Sequence, residues 1–270
     1  MIRRDSKLSD GRRGWALVSQ IEHARVAGLL AESWGGADFA PLWPRAEVLA
    51  TLYRHDDGWG RWEQHPDVLP AKGWPRDFTE MPTKVSLDIW RASILEVSRF
   101  GFLQPWLVAG HFSALLRRFD GWRYDPRSSE AARRFLAEQD AARCRWLAQW
   151  QQQNVRRNTI EAAELALAQL QFFDFFSLWL CCSKAKSAWM SDTPGGKRLT
   201  LDPLPGSDPS SATMRIAAFP WPFTINRVAV DAMARVVPQE HYADATALEA
   251  TLSEERRLSW ELVPGEAEAA

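Results

Sequence analysis

Residues 170–180 read Leu-Gln-Phe-Phe-Asp-Phe-Phe-Ser-Leu-Trp-Leu, a carboxylate with two phenylalanines on either side. They lie inside a longer run, Thr159 to Lys184, whose apolar residues recur at helical spacing. On a helical wheel Leu170, Phe173, Leu178 and Cys181 share the face of Asp174, so no solvated stripe is left for the carboxylate. An ionised group buried there costs several kcal/mol unless a cation, a metal or hydrogen bonds compensate it. The stretch therefore points to a helical fold and marks Asp174 as paired or ligating.

Working outward, the first 185 residues read as helices. Ser19 to Trp34 puts Ile21, Ala24, Ala27, Gly28, Ala31 and Trp34 on one stripe. Pro44 suits a first helical turn, Val48, Leu49, Leu52 and Tyr53 follow on one face, and Asp57-Gly58 is expected to end that helix. Gly58 to Pro82 is rich in Gly, Pro and Trp and reads as a long loop of the kind that is usually functional. Helices resume over Lys84 to Phe100, Pro105 to Phe119, Ser129 to Gln152 and Thr159 to Lys184, with the last two expected to form an antiparallel hairpin across Asn154 to Asn158. The texture then changes. Residues 191–212 read as a linker or extended loop, and 213–264 as a small β-rich element with strands at Thr213 to Phe219, Thr224 to Val230, Ala232 to Val237 and Ser259 to Val263. Residues 265–270 form a tail expected to be disordered.

Composition limits the function classes. Of 270 residues, 33 are Lys or Arg and 34 are Asp or Glu, a formal charge of -1, which argues against a nucleic-acid binder. The longest uncharged run, Phe100 to Leu116, contains Gln104, Pro105 and His111 and fails as a membrane span. No apolar signal core follows the opening Met-Ile-Arg-Arg-Asp-Ser-Lys, and the odd set Cys144, Cys181 and Cys182 reads as reduced thiols, so a cytoplasmic protein is expected. Fifteen tryptophans, eleven of them before residue 151, imply thick aromatic packing or a lined pocket.

Three further positions carry chemistry. His111 lies among Trp106, Leu107, Val108, Phe112 and Leu115, so its ring faces inward; taken alone, such a residue is more often a satisfied core histidine than a ligand. Arg54-His55-Asp56-Asp57-Gly58-Trp59 places two aspartates at a helix C-terminus, where the dipole disfavours negative charge and a bound cation would offset it. His23 sits mid-helix in Gln20-Ile21-Glu22-His23-Ala24. His65 and His241 read as surface residues.

The order His23, His55-Asp56, His111, Asp174, each on its own helix and separated by 32, 56 and 63 residues, resembles the HD-domain superfamily of helical metal-dependent phosphohydrolases. Val-Ser-Gln-x-Glu-His at 18–23, His-Asp-Asp-Gly-Trp at 55–59, Ile-Trp-Arg-Ala-Ser-Ile at 89–94 and Phe219-Pro-Trp-Pro-Phe are similar to a bacterial family of unknown function. The HD resemblance implies an HD-domain-like helical bundle over 1–190, so that with the linker and the small C-terminal antiparallel β element read above the fold is expected to be mainly α. The Trp-rich loop and the β element depart from the basic HD core. The β part is open to three roles: covering the site, mediating a homodimer, or completing the core.

The resemblance also implies a ligand set of His23, His55, Asp56 and Asp174 for one divalent transition metal, with His111 for a second. Mixed nitrogen and oxygen donors suit Fe, Mn, Zn, Ni or Co. Asp57 and Glu22 are then the carboxylates left to assist, as candidate catalytic residues. Arg54, Arg91, Lys84 and Trp59 are candidates to hold a phosphorylated small molecule, while Trp62 and Trp74 could equally be core. The implied activity is phosphoester or nucleotide hydrolysis through a metal-activated water. Two other classes fit the same residues: a non-catalytic ligand-binding or regulatory protein with a structural metal, and a di-iron oxygenase.

Overall fold

The computed structural model describes residues 1–36, 38–119, 121–182, 188–205, 213–252 and 254–266. The chain opens with an antiparallel hairpin, β1 (Ile2–Lys7) and β2 (Arg13–Val18), turned at Gly11 with φ 86°. There follow α1 (Gln20–Glu32), α2 (Arg45–Leu52), α3 (Gly60–Glu63) and a two-stranded ribbon of β3 (Val68–Leu69) and β4 (Trp74–Pro75). Four longer helices come next: α4 (Thr83–Val97), α5 (Leu103–Arg118), α6 (Pro126–Gln153) and α7 (Ile160–Cys181). The rest is β5 (Trp189–Asp192), β6 (Arg198–Pro203), β7 (Thr213–Phe219), β8 (Val228–Pro238), α8 (Ala245–Glu249) and β9 (Glu254–Pro264).

The expectation of a mainly α bundle with a small antiparallel β appendage is overturned. Seven strands form one curled mixed sheet in the order β1-β2-β8-β9-β7-β6-β5, making an α+β fold. Only the β7–β9 pair is parallel. The N-terminal hairpin was hidden for two reasons. In β1 the inward residues after Ile2 are Arg4 and Ser6, so no apolar alternation shows; the Arg4 guanidinium reaches the Leu180 carbonyl at 3.3 Å. In β2 every residue from Gly14 to Val18 is buried, because both faces are covered, and alternation disappears. The presumed linker contributes β5 and β6, and the two strands expected on either side of Asp231 are one continuous β8. The long loop at 58–82 is partly structured by α3 and the β3–β4 ribbon. The end of the Thr159–Lys184 helix beyond Cys182, residues 206–212 of the linker, and 267–270 of the tail lie outside the described residues.

One face of the sheet packs on α1 and α7. Val228, Val230, Ala232, Ala234 and Val236 of β8 alternate onto that face and meet Val26, Ala27 and Leu30 of α1 and Phe173 and Phe176 of α7 in one cluster. Trp15, Leu17 and Val237 point the other way, against Val68, Tyr242 and Leu248. Trp34, just past α1, touches the rings of Phe39, Phe172, Phe173 and Phe223 at 5.1 to 5.8 Å, tying α1, α7 and the 219–223 segment together.

The long uncharged stretch of α5 is explained by its place between two layers. Leu103, Trp106 and Leu107 face the main core, while Val108, Phe112 and Leu116 pack on α4 and α6. A helix apolar all round is a central helix here; among the described residues no helix is long and apolar enough to cross a membrane. The expected α6–α7 hairpin takes a different form: α6 packs chiefly on α4 and α5, and α7 on α1, α2 and α5.

Candidate metal centre

Four elements aim polar groups at one interior point. His23 lies on α1, started by Ser19, whose hydroxyl accepts from the Glu22 N–H at 3.0 Å. His55 and Asp56 follow α2 in a tight turn that leads into a 3₁₀ segment at Asp57–Trp59. His111 is mid-α5 and Asp174 mid-α7. All five are buried, none more than 6% exposed.

The distances describe a cluster. The Nε2 atoms of His23 and His55 lie 3.0 and 3.2 Å from Asp174 Oδ1, and 3.5 and 3.6 Å from Asp56 Oδ2. His111 Nε2 approaches the other Asp174 oxygen at 3.8 Å. One donor atom each from His23, His55 and Asp174 lies within 4.8 Å of the others, a spacing that can hold a metal ion. The far ring nitrogens are anchored as metal-bound histidines usually are. His55 Nδ1–H donates to the Leu52 carbonyl at 2.9 Å, leaving Nε2 to face the carboxylates. Ser177 Oγ–H donates to the Asp174 carbonyl at 2.9 Å, so its lone pair accepts His23 Nδ1–H at 2.7 Å. His111 Nδ1 has no partner among the described residues.

The electrostatics follow from this crowding. Burial pushes the His55 imidazole down, but Asp56 and Asp174 outweigh it and raise its pKa to about 9. Burial alone would raise the Asp174 carboxyl, yet His111, His23 and His55 hold it well below the usual range. Burial dominates at His111 and lowers its pKa. Without metal, a proton on His55 stands in for the cation between imidazole and carboxylate.

Two expected results arise here. Replacing Ser177 with Ala frees His23 to rotate and should weaken Mn²⁺ or Zn²⁺ binding by roughly 10–100-fold, read by chelator competition; unchanged affinity would remove Ser177 from the support of the site. The second concerns pH. Because the folded His55 pKa is raised, its contribution to stability is complete below the ordinary value of 6.5 and is lost as pH climbs through about 9. Guanidinium unfolding of chelator-treated protein should therefore lose about 3 kcal/mol across that window. Metal affinity should rise over the same window as the competing proton leaves. A flat stability profile from neutral to alkaline pH would show that His55 is not charged in the metal-free fold.

The other sequence candidates stand apart from the cluster. Glu22 is turned toward the sheet, where it pairs with Arg25 and accepts the Met233 N–H at 2.8 Å. Asp57 faces Arg54 at 3.4 Å, and Arg54 lies exposed over the Phe100 ring. Arg91 bridges Asp88 and Glu138 at the α4–α6 seam, in a cleft it shares with Lys84 and that no cluster residue lines. Trp59 is buried edge-on to Trp62 at 5.7 Å and serves as packing; Trp74 is partly exposed.

Sequence reading missed what holds the His-Asp turn. The Gly58 N–H donates to Ser93 Oγ at 3.0 Å, and a Cβ on Gly58 would fall 2.3 Å from the Ile89 carbonyl oxygen. The Ile-Trp-Arg-Ala-Ser-Ile motif thus serves the site through Ile89 and Ser93 rather than Arg91. Gln20 and Glu63 were also missed. The Gln20 N–H donates to Glu63 Oε1 at 2.7 Å, one turn before His23, and Gln20 Nε2 and Glu63 Oε2 are buried without partners among the described residues.

Comparison with known proteins is consistent with the second resemblance. No curated protein and no solved structure matches the chain significantly. A family model described as "Protein of unknown function (DUF3891)" matches residues 1–239, which include every residue of the cluster.

Proposed function

We propose that this chain, which belongs to the DUF3891 family, binds a divalent transition metal at His23, His55, Asp56 and Asp174 and uses it to hydrolyse a small phosphorylated substrate. The observation that carries the reading is the convergence of three imidazole Nε2 atoms on two buried carboxylates, with the far nitrogens of His23 and His55 anchored by Ser177 and Leu52. Two carboxylates and two or three neutral imidazoles leave a divalent ion nearly neutralised and suit Fe, Mn, Zn, Ni or Co. Such an ion supplies Lewis-acid polarisation of a phosphoryl oxygen and a water acidified to a pKa of about 7. The ligand order resembles that of HD-domain phosphohydrolases, which is the basis for proposing phosphoester chemistry.

A second reading has its own observation. The ligands are almost completely enclosed, and neither the cleft beside Trp189 nor the one beside Arg91 is lined by them, which favours a structural metal in a non-catalytic protein. The assay that separates the two uses full-length protein reconstituted with Mn²⁺, Zn²⁺ or Fe²⁺ on nitrophenyl phosphate, bis-nitrophenyl phosphate and nucleotides. Metal-dependent turnover that disappears in His55→Ala, Asp56→Ala supports the hydrolase. Full metal occupancy without turnover on any of these, together with a Tm that drops on chelation, overturns it in favour of the structural metal.

A further inference from the structure

The outer sides of α5 and α7 carry a second feature, away from the metal ligands. An open cleft of about 480 Å³ runs from the end of α5 along α7 to the turn between β5 and β6. Its apolar walls are Phe172, Phe175 and Trp189. Trp189 is held by the ridge of α7: its ring lies within 30–36° of the planes of Phe172 and Phe176 at 5.5 to 5.9 Å, and stacks on Trp179. The polar lining comprises Arg118, Gln171, Ser191, Asp192 and Thr193. Arg118, the exposed last residue of α5, places its guanidinium 5.5 Å over the Phe175 ring, and no carboxylate among the described residues pairs with it. Thr193 is 5% exposed, and its Oγ1 has no hydrogen-bond partner among the described residues. Gln171 adds an amide. The one acid on the rim among the described residues, Asp192, accepts from Arg198 Nε at 3.1 Å.

We propose that this cleft binds a small planar aromatic carboxylate, its ring against Phe172, Phe175 and Trp189 and its carboxylate on the Arg118 guanidinium. Flat walls select a flat ring, because aromatic pairs attract in stacked and edge-on arrangements. A guanidinium already stacked on a ring keeps its edge free for bidentate capture of a carboxylate. The volume lies in the range of small-molecule sites. A cationic ligand is disfavoured, since Arg118 repels it and Asp192 is already paired.

The test is titration calorimetry of the full chain with naphthoate, and with naphthamide as the uncharged control. No cluster residue lines the cleft, so the result is independent of metal loading. Naphthoate is expected to bind with a submillimolar Kd. Arg118→Gln, at an exposed position that leaves the fold intact, should weaken it roughly tenfold or more, the worth of a charge-assisted hydrogen bond. Naphthamide binding should not change in that variant. Absence of naphthoate binding at millimolar concentration overturns the proposal. So does equal binding by Arg118→Gln, or equal loss of naphthamide.

Discussion

Asp174→Asn is expected to strip the protein of metal while leaving its helical circular-dichroism signal unchanged. The substitution preserves shape and removes one charge from a group that sits 3.0 and 3.2 Å from two imidazoles and 3.8 Å from a third. The metal loses an anionic ligand that no neighbour can replace, because Asp56 already faces the same two rings. If a fully assembled site of this kind is worth about 10–16 kcal/mol, one of four ligands carries roughly a quarter, or about 10²–10³ in affinity. The fold survives because His55 keeps its bond to the Leu52 carbonyl and Asp56 remains 3.6 Å from its Nε2. Chelator competition on the parent and variant reads the difference. Full metal retention by the variant would remove Asp174 from the ligand set.

Gly58→Ala should damage both the fold and the site. A Cβ there would lie 2.3 Å from the Ile89 carbonyl oxygen and 2.4 Å from the Ser93 backbone nitrogen. Both belong to the backbone of α4 and cannot rotate aside, so the helix and the His55-Asp56 turn must separate. Overpacking of this kind costs about 3 kcal/mol, and a chain of this size then loses on the order of 10 °C in Tm. Metal affinity should fall with it, because the Gly58 bond to Ser93 is what fixes the turn carrying two of the ligands. Ser93→Ala, which removes the bond without adding bulk, should show a milder form of both effects. A Gly58→Ala protein with parental Tm and metal affinity would show that the contact with α4 does not position the turn.

The His/Asp cluster was legible in part because some of its members violate local rules. A carboxylate among four phenylalanines, a histidine on a helix apolar all round and Asp56 at a helix C-terminus each call for a compensating partner, and the fold brings these three together. The neighbours chosen by adjacency were less legible, because successive helix residues point about 100° apart. Glu22, next to His23, therefore meets β8 instead of the cluster, and Asp57, next to Asp56, meets Arg54. The long helices could be read from their period. The sheet could not, because its edge strand turns Arg4 and Ser6 inward, β2 is covered on both faces, and β5 and β6 lie in a stretch rich in Pro, Gly and Ser. Nor could sequence show that Ile89 and Ser93 support Gly58, since that depends on two backbones meeting within contact distance.

Elemental analysis of protein purified without affinity tag or chelator, beside the double variant His55→Ala, Asp56→Ala, addresses the metal centre most directly. Near-stoichiometric divalent transition metal in the parent, lost in a variant that remains folded, is the expected result. A parent that carries no metal and takes up none on reconstitution with Mn²⁺, Fe²⁺, Co²⁺, Ni²⁺ or Zn²⁺ would contradict it, and would leave the cluster as a buried hydrogen-bonded network held together by protons.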